Sequence, residues 1–279
     1  MNKIILNLCP TGVIPTKNMN GAVPLHPDEI AEDVFQCYQE GVQIAHIHAR
    51  DDQEENTSDK VIYSEIIAKI REKCPDIIIC VSLSGRVQNT YESRTDVLNL
   101  QGPLKPDMGS LTLSSLNFVT NASVNSPKMI VDLLTKMNEE GIKPELEVFD
   151  VGMVNYAKYL IQKGLLKAPY YFNIILGNLF SAQNNPADIS SIIHALPPNS
   201  YYTIGGIGNY QLGSNMAGIL YASGIRVGLE DNLYYDAQRK EKATNLSLIK
   251  RIVTLCDLYE RPRYTAKELR ELLQIPLKV

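Results

Sequence analysis

The most constraining feature of the sequence is its repeated alternation of short apolar segments with amphipathic stretches of helical period. In parallel sheets each strand is followed by a helix that returns the chain to the opposite end of the sheet, which gives this pattern. Eight repeats favour a closed (β/α)8 barrel over an open doubly wound sheet. The predicted strands cover residues 4–8, 42–48, 77–82, 108–111, 145–149, 171–175, 202–204 and 224–227.

Helical patterns with recognisable ends lie between these segments. Residues 27–40 carry acids in the first turn, and residues 126–141 begin with Ser-Pro and end at glycine, as helix ends commonly do. The last predicted helix, 265–273, lies beyond the eightfold count and is expected to cap the barrel or to form an oligomer contact. The other predicted helices are 61–74, 153–164, 186–195, 215–223 and 241–259.

Length and composition fit one α/β domain in a reducing compartment. The 279 residues contain no linker or low-complexity segment, so we expect one barrel domain over residues 1–279. A net charge of −4 without a Lys/Arg-rich run argues against a nucleic-acid partner. The five cysteines show no CxxC spacing, and residues 4–6 are too short an apolar run for a signal peptide. No apolar stretch approaches the roughly 20 residues of a membrane span, so we expect a cytoplasmic protein without a membrane partner.

A His-x-His pair closes the second predicted strand. Side chains two residues apart share one face of a strand, so His46 and His48 point the same way as Ile44. This order places the two imidazoles beyond a core layer, at the carboxyl end of the strand, where active sites of such barrels lie. The pair therefore offers two preset nitrogen ligands for a divalent metal. Chance adjacency of two of the four histidines is the alternative.

Two consecutive acids, Glu230 and Asp231, follow the eighth predicted strand. In a closed barrel strand eight neighbours strand one, so a carboxylate at its tip can converge with the histidines of strand two. Two histidines and one glutamate leave an open position for water or substrate, which is typical of catalytic rather than structural zinc. An ordinary turn with solvated acids is the alternative.

Several longer stretches resemble one known family, in matching order over nearly the whole chain. They are HIHARD (46–51), KCPDIIICVSLSGR (73–86), LKPDMGSLTL (104–113), GIKPELEVFDVGMV (141–154), GGIG (205–208) and RVGLEDN (226–232). The sequence resembles the β-keto acid cleavage enzyme family. The resemblance implies a TIM barrel, usually a homotetramer, in which a β-keto acid and acetyl-CoA give acetoacetate and a new acyl-CoA.

The resemblance also assigns residues to roles. It implies one zinc ion on His46, His48 and Glu230, and an Arg226–Asp231 pair that handles the proton. On this hypothesis Asp231 removes a proton from C2 of the keto acid, while Arg226 orients the carboxylate and keeps it ionised. Family members commonly carry Thr and Asn where this chain has Ser110 and Thr112. The implied substrate-contacting or pocket-lining residues are Ser82, Ser110, Thr112 and Glu145.

The chain departs from the family pattern in two loops. Members that take an amino-substituted substrate carry an acidic residue at the position of Ile14, so we expect a neutral or apolar β-keto acid here. Relatives often have Arg at the position of Asn209 and Pro at that of Gly213. Loss of that guanidinium removes a possible anion clamp for CoA or a carboxylate.

Three other functions fit parts of the pattern. A zinc hydrolase of the amidohydrolase type also uses His-x-His, but on the first strand and with further histidines, whereas only His26 and His194 remain here. A divalent-metal aldolase would act without a CoA ester. A non-catalytic metal-binding barrel would show no turnover.

Overall fold

Eight parallel strands close into a barrel in the computed structural model, which describes residues 3–277. Each strand hydrogen-bonds to the next in the chain, and the eighth strand pairs with the first. All eight predicted strands are therefore confirmed, with ends shifted by a few residues. The strands are β1 (Ile5–Leu8), β2 (Ile44–Ile47), β3 (Ile78–Val81), β4 (Met108–Thr112), β5 (Lys143–Val148), β6 (Tyr170–Leu176), β7 (Ser200–Gly206) and β8 (Gly224–Val227).

The helices lie between the strands as predicted, and most begin at a capping side chain. Ser126, for example, accepts a hydrogen bond from the backbone N–H of Met129, which satisfies one of the free donors of the first turn. The helices are α1 (Pro27–Gln39), α2 (Lys60–Lys73), α3 (Tyr91–Thr95), α4 (Pro127–Glu140), α5 (Val151–Gln162), α6 (Pro186–Ala195), α7 (Gln211–Tyr221), α8 (Asn245–Leu258) and α9 (Ala266–Leu273).

Three connections differ from the helix predictions. No helix was predicted between β3 and β4, yet α3 and two 3-10 turns, Asp96–Asn99 and Gly102–Leu104, occupy this connection. Helix α7 begins at Gln211 rather than at residue 215, directly after a 3-10 turn. Helix α8 begins at Asn245 rather than at residue 241, because Thr244 and Ser247 form a reciprocal cap there. These errors arise where short elements or local capping, rather than hydrophobic period, decide the structure.

The barrel interior is apolar at one end and polar at the other. Ile5, Ile44, Ile78, Met108 and Tyr171 form a buried cluster near the amino ends of the strands. Two residues further along their strands, inward-facing positions become polar, because side chains alternate between the faces of a strand. The carboxyl end of the barrel is therefore the end equipped for chemistry.

Helix α9 closes the apolar end. Its residues Leu269 and Leu273 join the interior cluster formed by the strands. Arg270 is buried and donates to both carboxylate oxygens of Asp107, at 2.9 and 2.8 Å, and to the carbonyl of Ile77. The C-terminal helix is thus a cap, the first of the two roles predicted for it.

Short two-stranded sheets extend the loops at the polar end. One pairs Ala49–Arg50 with Asn56–Thr57 after β2, and the other pairs Leu116–Asn117 with Ala122–Ser123 after β4. Between residues 3 and 277, no helix combines the length and the apolar character that crossing a bilayer requires.

Candidate active site

The two histidines of the second strand meet the glutamate that follows the eighth. His46 lies in β2 and His48 directly after it, and their Nε2 atoms are 3.3 Å apart. The Nε2 atom of His48 lies 3.4 Å from Oε1 of Glu230. One nitrogen or oxygen atom from each of the three residues lies within 4.8 Å of the others. The structure therefore brings together the three residues that the sequence suggested as metal ligands.

The buried carboxylate of Glu145 binds the Nδ1 side of the His46 ring, opposite the side that faces His48. Oε2 of Glu145, in β5, lies 2.6 Å from Nδ1 of His46. The amides of Asn7 and Asn173 donate to the other oxygen of Glu145, at 2.7 and 3.2 Å. Burial raises the pKa of Glu145, but the charge and hydrogen bond of His46 outweigh burial and lower it. Glu145 therefore accepts the Nδ1 proton of His46, which fixes the ring so that Nε2 faces His48 and Glu230.

Electrostatics distinguishes the two imidazoles. Burial lowers the pKa of His46, but the charges of Glu145 and Glu230 raise it to about 9 overall. Burial also dominates at His48 and lowers its pKa, although Glu230 acts in the opposite direction. The site thus attracts positive charge at His46 and keeps His48 neutral, the state in which an imidazole binds a metal.

These residues fit a divalent metal of the zinc type. Two imidazole nitrogens and one carboxylate are ligands that zinc accepts, and three protein ligands leave a position free for substrate. Among the described residues, Oε2 of Glu230 is buried without a hydrogen-bond partner. A buried carboxylate oxygen without a partner is costly unless a cation satisfies it.

Arg226 of β8 contacts both of the consecutive acids, Glu230 and Asp231. Its Nε and Nη2 donate to Oδ2 and Oδ1 of Asp231, at 2.9 and 3.1 Å, and Nη2 lies 2.8 Å from Oε1 of Glu230. Burial lowers the pKa of Arg226, but Asp231 and other neighbours raise it well above its usual range. Burial raises the pKa of Glu230, yet Arg226 and the histidines hold it well below its usual range. The guanidinium and the Glu230 carboxylate are thus both charged.

A glycine on the neighbouring strand makes room for this arginine. A side-chain carbon added at Gly205, in β7, would lie 3.0 Å from Cβ of Arg226. Any larger residue there would push the guanidinium out of line with Asp231. The GGIG stretch that begins at Gly205 therefore has a steric role beside Arg226 and Asp231.

Two cysteines of the interior contact the acids, and the sequence did not indicate them. The Cys9 thiol donates to Oδ2 of Asp231 at 3.3 Å, and the Cys80 thiol donates to Oε2 of Glu145 at 3.4 Å. Burial raises the pKa of both thiols well above the usual value, so both remain protonated donors. Their inward positions, two residues beyond Asn7 and Ile78, were the available signal.

A cavity of about 400 Å³ opens above His46, His48 and Glu230. Ile14, Ser82 and Thr112 lie in its wall, as do Arg226 and Asp231. Ser110 is not part of the wall; its Oγ accepts a hydrogen bond from the backbone N–H of Leu83 at 3.1 Å. Glu145 also lies below the cavity, behind His46. Of the four expected contact or pocket residues, the structure therefore places Ser82 and Thr112 where a substrate can reach them.

The hydroxyl groups of Ser82 and Thr112 differ in whether their protons are available for a hydrogen bond to a ligand. Oγ of Ser82 accepts from the N–H of Ser84 at 3.2 Å, so its own proton remains available to a ligand. Oγ1 of Thr112 instead donates to Oε2 of Glu147 at 2.7 Å. Thr112 can therefore only accept from a ligand, whereas Ser82 can donate.

The loop that carries Ile14 is held by hydrogen bonds and packs against Glu230. Nη2 of Arg50 donates to the carbonyls of Gly12 and Pro15 at 2.7 and 3.1 Å. Gly12 adopts a φ of +73°, and a side-chain carbon there would lie 2.5 Å from Cγ of Glu230. Ile14 is thereby held at the cavity with 49% of its surface exposed.

Comparisons with known proteins identify close and full-length similarity. A family described as beta-keto acid cleavage enzyme matches residues 3–275. The chain is 35% identical to a 3-keto-5-aminohexanoate cleavage enzyme of Fusobacterium nucleatum over 277 residues, which cover 99% of each chain. It is 30% identical to a 3-oxoadipate:acetyl-CoA acetyltransferase of Cupriavidus necator, over 98% of this chain and 95% of that one.

A solved structure shows the same fold. The binary complex of ObcA with oxaloacetate superposes with a TM-score of 0.77 at 20% identity, over 91% of this chain and 67% of that chain. At this identity the match supports the barrel fold that the strand order shows.

Proposed function

The chain belongs to the β-keto acid cleavage enzyme family, and on that premise we propose that it is a zinc-dependent enzyme that exchanges an acyl group between a β-keto acid and acetyl-CoA. The products are acetoacetate and a new acyl-CoA. The convergence of His46, His48 and Glu230 beside the Arg226–Asp231 pair, at the floor of one cavity, carries the proposal. The printed name of the Cupriavidus necator relative, an acetyl-CoA acetyltransferase, supports acetyl-CoA as co-substrate.

The metal site would supply the Lewis acid of the reaction. Zinc held by His46, His48 and Glu230 would polarise the keto oxygen and stabilise the negative charge that develops when C2 loses its proton. Glu145 fixes the orientation of His46 through Nδ1. The O–H of Ser82 is free to donate to a substrate oxygen in the same cavity.

Asp231 is the proposed base. Arg226 holds both of its oxygens, and Cys9 donates to one of them, so the carboxylate has a fixed direction. A carboxylate held in a fixed direction beside the candidate metal position is placed to accept the C2 proton. Arg226 spans Asp231 and Glu230, which couples the base to the metal ligand.

After C2 has lost its proton, the exchange requires three further steps: bond formation to the acetyl group, transfer of CoA, and cleavage of the original carbon–carbon bond. C2 forms a bond to the acetyl carbonyl carbon, and the CoA thiolate leaves. The thiolate then adds to the original keto carbonyl, whose bond to C2 breaks, which releases the new acyl-CoA and the carbanion of acetoacetate. Asp231 returns the proton to that carbanion, so the base is regenerated.

Ile14 supports a substrate without an amino group. The side chain lies in the cavity wall and offers no charge to an ammonium group. Arg50 and Asn56 hold its loop in place by donating to the carbonyls of Gly12, Pro15 and Val13. An ammonium group beside Ile14 would lose hydration without gaining a partner.

We also propose a cytoplasmic homotetramer. All five cysteines are buried free thiols, which suits a reducing compartment. Helix α7 exposes an apolar stripe of Leu212, Met216 and Leu220, spaced one helical turn apart and 38%, 37% and 42% exposed. Such a stripe on a helix is suited to contact between subunits.

The proposal is tested with the zinc-loaded protein, a panel of β-keto acids and acetyl-CoA, with products identified by mass spectrometry. We expect acetoacetate and the acyl-CoA of the substrate in equal amounts. Omission of acetyl-CoA should stop consumption of the keto acid. Consumption without acetyl-CoA would instead indicate a hydrolase or an aldolase, and no turnover with any keto acid would indicate a non-catalytic barrel.

A further inference from the structure

A second arginine lies in the cavity wall, and the proposed chemistry does not use it. Arg86 follows β3 and lines the same cavity as His46 and His48. Its guanidinium carbon lies 3.8 Å from the centre of the Phe118 ring, which is also part of the wall. This contact with the ring restricts where the guanidinium can lie in the wall.

Arg86 forms no ion pair with a carboxylate among residues 3–277, although the charge of Glu230 acts on it from a distance. Its Nε is buried and lacks a hydrogen-bond acceptor, and no described carboxylate forms an ion pair with it. Arg226, by contrast, is held by Asp231 and Glu230, and Arg50 donates to loop carbonyls. A half-buried cation without a counterion is costly, and an anionic ligand would offset that cost.

Hydrogen bonds within the protein hold the loop around Arg86. Arg94 donates to the carbonyl of Leu83 at 2.7 Å, to Oδ1 of Asn89 at 3.1 Å and to Oδ1 of Asn125 at 2.9 Å. Asn89 in turn donates to the carbonyl of Val124 at 3.0 Å. Arg94 therefore ties the loop of Arg86 to the loop that carries Phe118. Preorganisation of this kind reduces the entropy lost on binding.

We propose that Arg86 binds a carboxylate of the β-keto acid. A guanidinium presents paired N–H groups that match the two oxygens of a carboxylate. Phe118 and Phe149 make the surroundings partly apolar, which strengthens an ion pair. The inference rests on the proposed function, because it assigns the anion to that substrate.

Two carboxylates could supply this anion. Every β-keto acid carries one at C1, and a dicarboxylic β-keto acid carries another at the end of its tail. A tail carboxylate is compatible with Ile14, which disfavours only an ammonium group. One relative is named for 3-oxoadipate, a dicarboxylic β-keto acid.

The test compares 3-oxoadipate with 3-oxohexanoate, which has the same length and a methyl group in place of the second carboxylate. In the zinc-loaded enzyme, Arg86→Met should lower kcat/KM for 3-oxoadipate by about 10–100-fold, as expected for a charged hydrogen bond. If 3-oxohexanoate changes by less than about 3-fold, the anion is the tail carboxylate; an equal fall for both assigns it to C1. Arg86→Lys should recover part of the loss.

Lys163 provides the control. It is exposed, its ammonium nitrogen lies 5.4 Å from the centre of the Tyr159 ring, and it does not line the cavity. Lys163→Met should change kcat/KM for either keto acid by less than about 3-fold, because an exposed charge outside the cavity is screened by salt. A fall that Lys163→Met reproduces would show that general charge, not Arg86, attracts the substrate.

Binding of adipate, measured by calorimetry without acetyl-CoA, separates this inference from the proposed function. If the wild type shows no turnover but Arg86→Met still weakens adipate binding by about 10-fold or more, the carboxylate site stands and the reaction does not. The inference is overturned if Arg86→Met leaves kcat/KM and adipate affinity within about twofold of the wild type, or if it alters only the KM for acetyl-CoA.

Discussion

At the residue scale, the orientation of His46 depends on one buried carboxylate. Glu145 is fully buried and lies 2.6 Å from Nδ1 of His46. Glu145→Gln keeps the shape but removes the charge that makes the imidazole a stronger ligand. We expect zinc affinity to fall by about 10–100-fold, the usual effect of losing such a partner. Competition with a chromophoric chelator measures this change.

Glu55→Gln is the matched control for that experiment, because Glu55 is exposed. It should leave zinc affinity unchanged. Unchanged affinity in Glu145→Gln as well, with the variant folded, would mean that Glu145 does not support a metal ligand.

Asp231→Asn tests the base. The amide oxygen retains one of the two hydrogen bonds from Arg226, but the amide cannot accept the C2 proton, so turnover should fall by about 10²–10⁴-fold. Zinc content should stay the same, because Asp231 is not among the three proposed ligands. Steady-state kinetics measures the turnover, and metal analysis of the same sample measures the zinc content. Normal turnover would remove Asp231 from the reaction.

The sequence predicted the convergence of His46, His48 and Glu230 because strand alternation and barrel closure suffice to place them. It did not predict that Ser110 and Glu145 lie below the cavity. Depth along the barrel axis depends on the stagger between strands, which hydrophobic patterns do not reveal. The sequence also did not predict that Arg86 lines the cavity without an ion pair, because a residue's neighbours in space are known only from the structure.

At the element scale, α1 and α8 meet through a half-buried acid, Asp33. Asn245, the first residue of α8, donates from its Nδ2 to Asp33 of α1. Burial raises the pKa of Asp33 to about 6, and the hydrogen bond from Asn245 opposes this only in part. Since the unfolded value is about 3.9, the folded state binds the proton more tightly. Asp33 therefore costs stability as pH rises from about 4 through 6.

Asp33→Asn should remove this pH dependence. Relative to the wild type, the variant should gain roughly 2–3 kcal/mol in unfolding free energy between about pH 4 and pH 7.5. Urea unfolding at both pH values measures the difference. The exposed Asp52→Asn is the control and should follow the wild type. A constant offset between Asp33→Asn and the wild type would contradict the burial argument.

The predicted elements agree with the structure wherever the hydrophobic period is long. The helix from residue 126 is confirmed as α4, because Ser126 and Gly141 mark its ends. Helix α3 has five residues, too few to show a period, and was not predicted. The start of α8 depends on the reciprocal cap of Thr244 and Ser247, which involves hydroxyl groups rather than the acid of the usual pattern.

At the scale of the whole molecule, eight strand signals sufficed to predict closure of the barrel, whereas subunit contacts leave no such signal in one sequence. The α7 stripe makes the proposed assembly testable. Met216→Glu places a charge in that stripe and should dissociate the tetramer, which light scattering during size-exclusion chromatography would detect. Leu258→Glu, at a separate and 77% exposed position on α8, should leave the assembly intact. Dissociation by Leu258→Glu alone would place the interface elsewhere.

Anomalous diffraction at the zinc edge, from crystals grown with zinc, shows directly whether the carboxyl end of the barrel holds a metal. We expect one peak about 2.0–2.2 Å from Nε2 of His46, Nε2 of His48 and a carboxylate oxygen of Glu230. His48→Ala should remove it. The three side chains pointing apart in the zinc-grown crystal, with no peak between them, would contradict the metal site and the chemistry built on it.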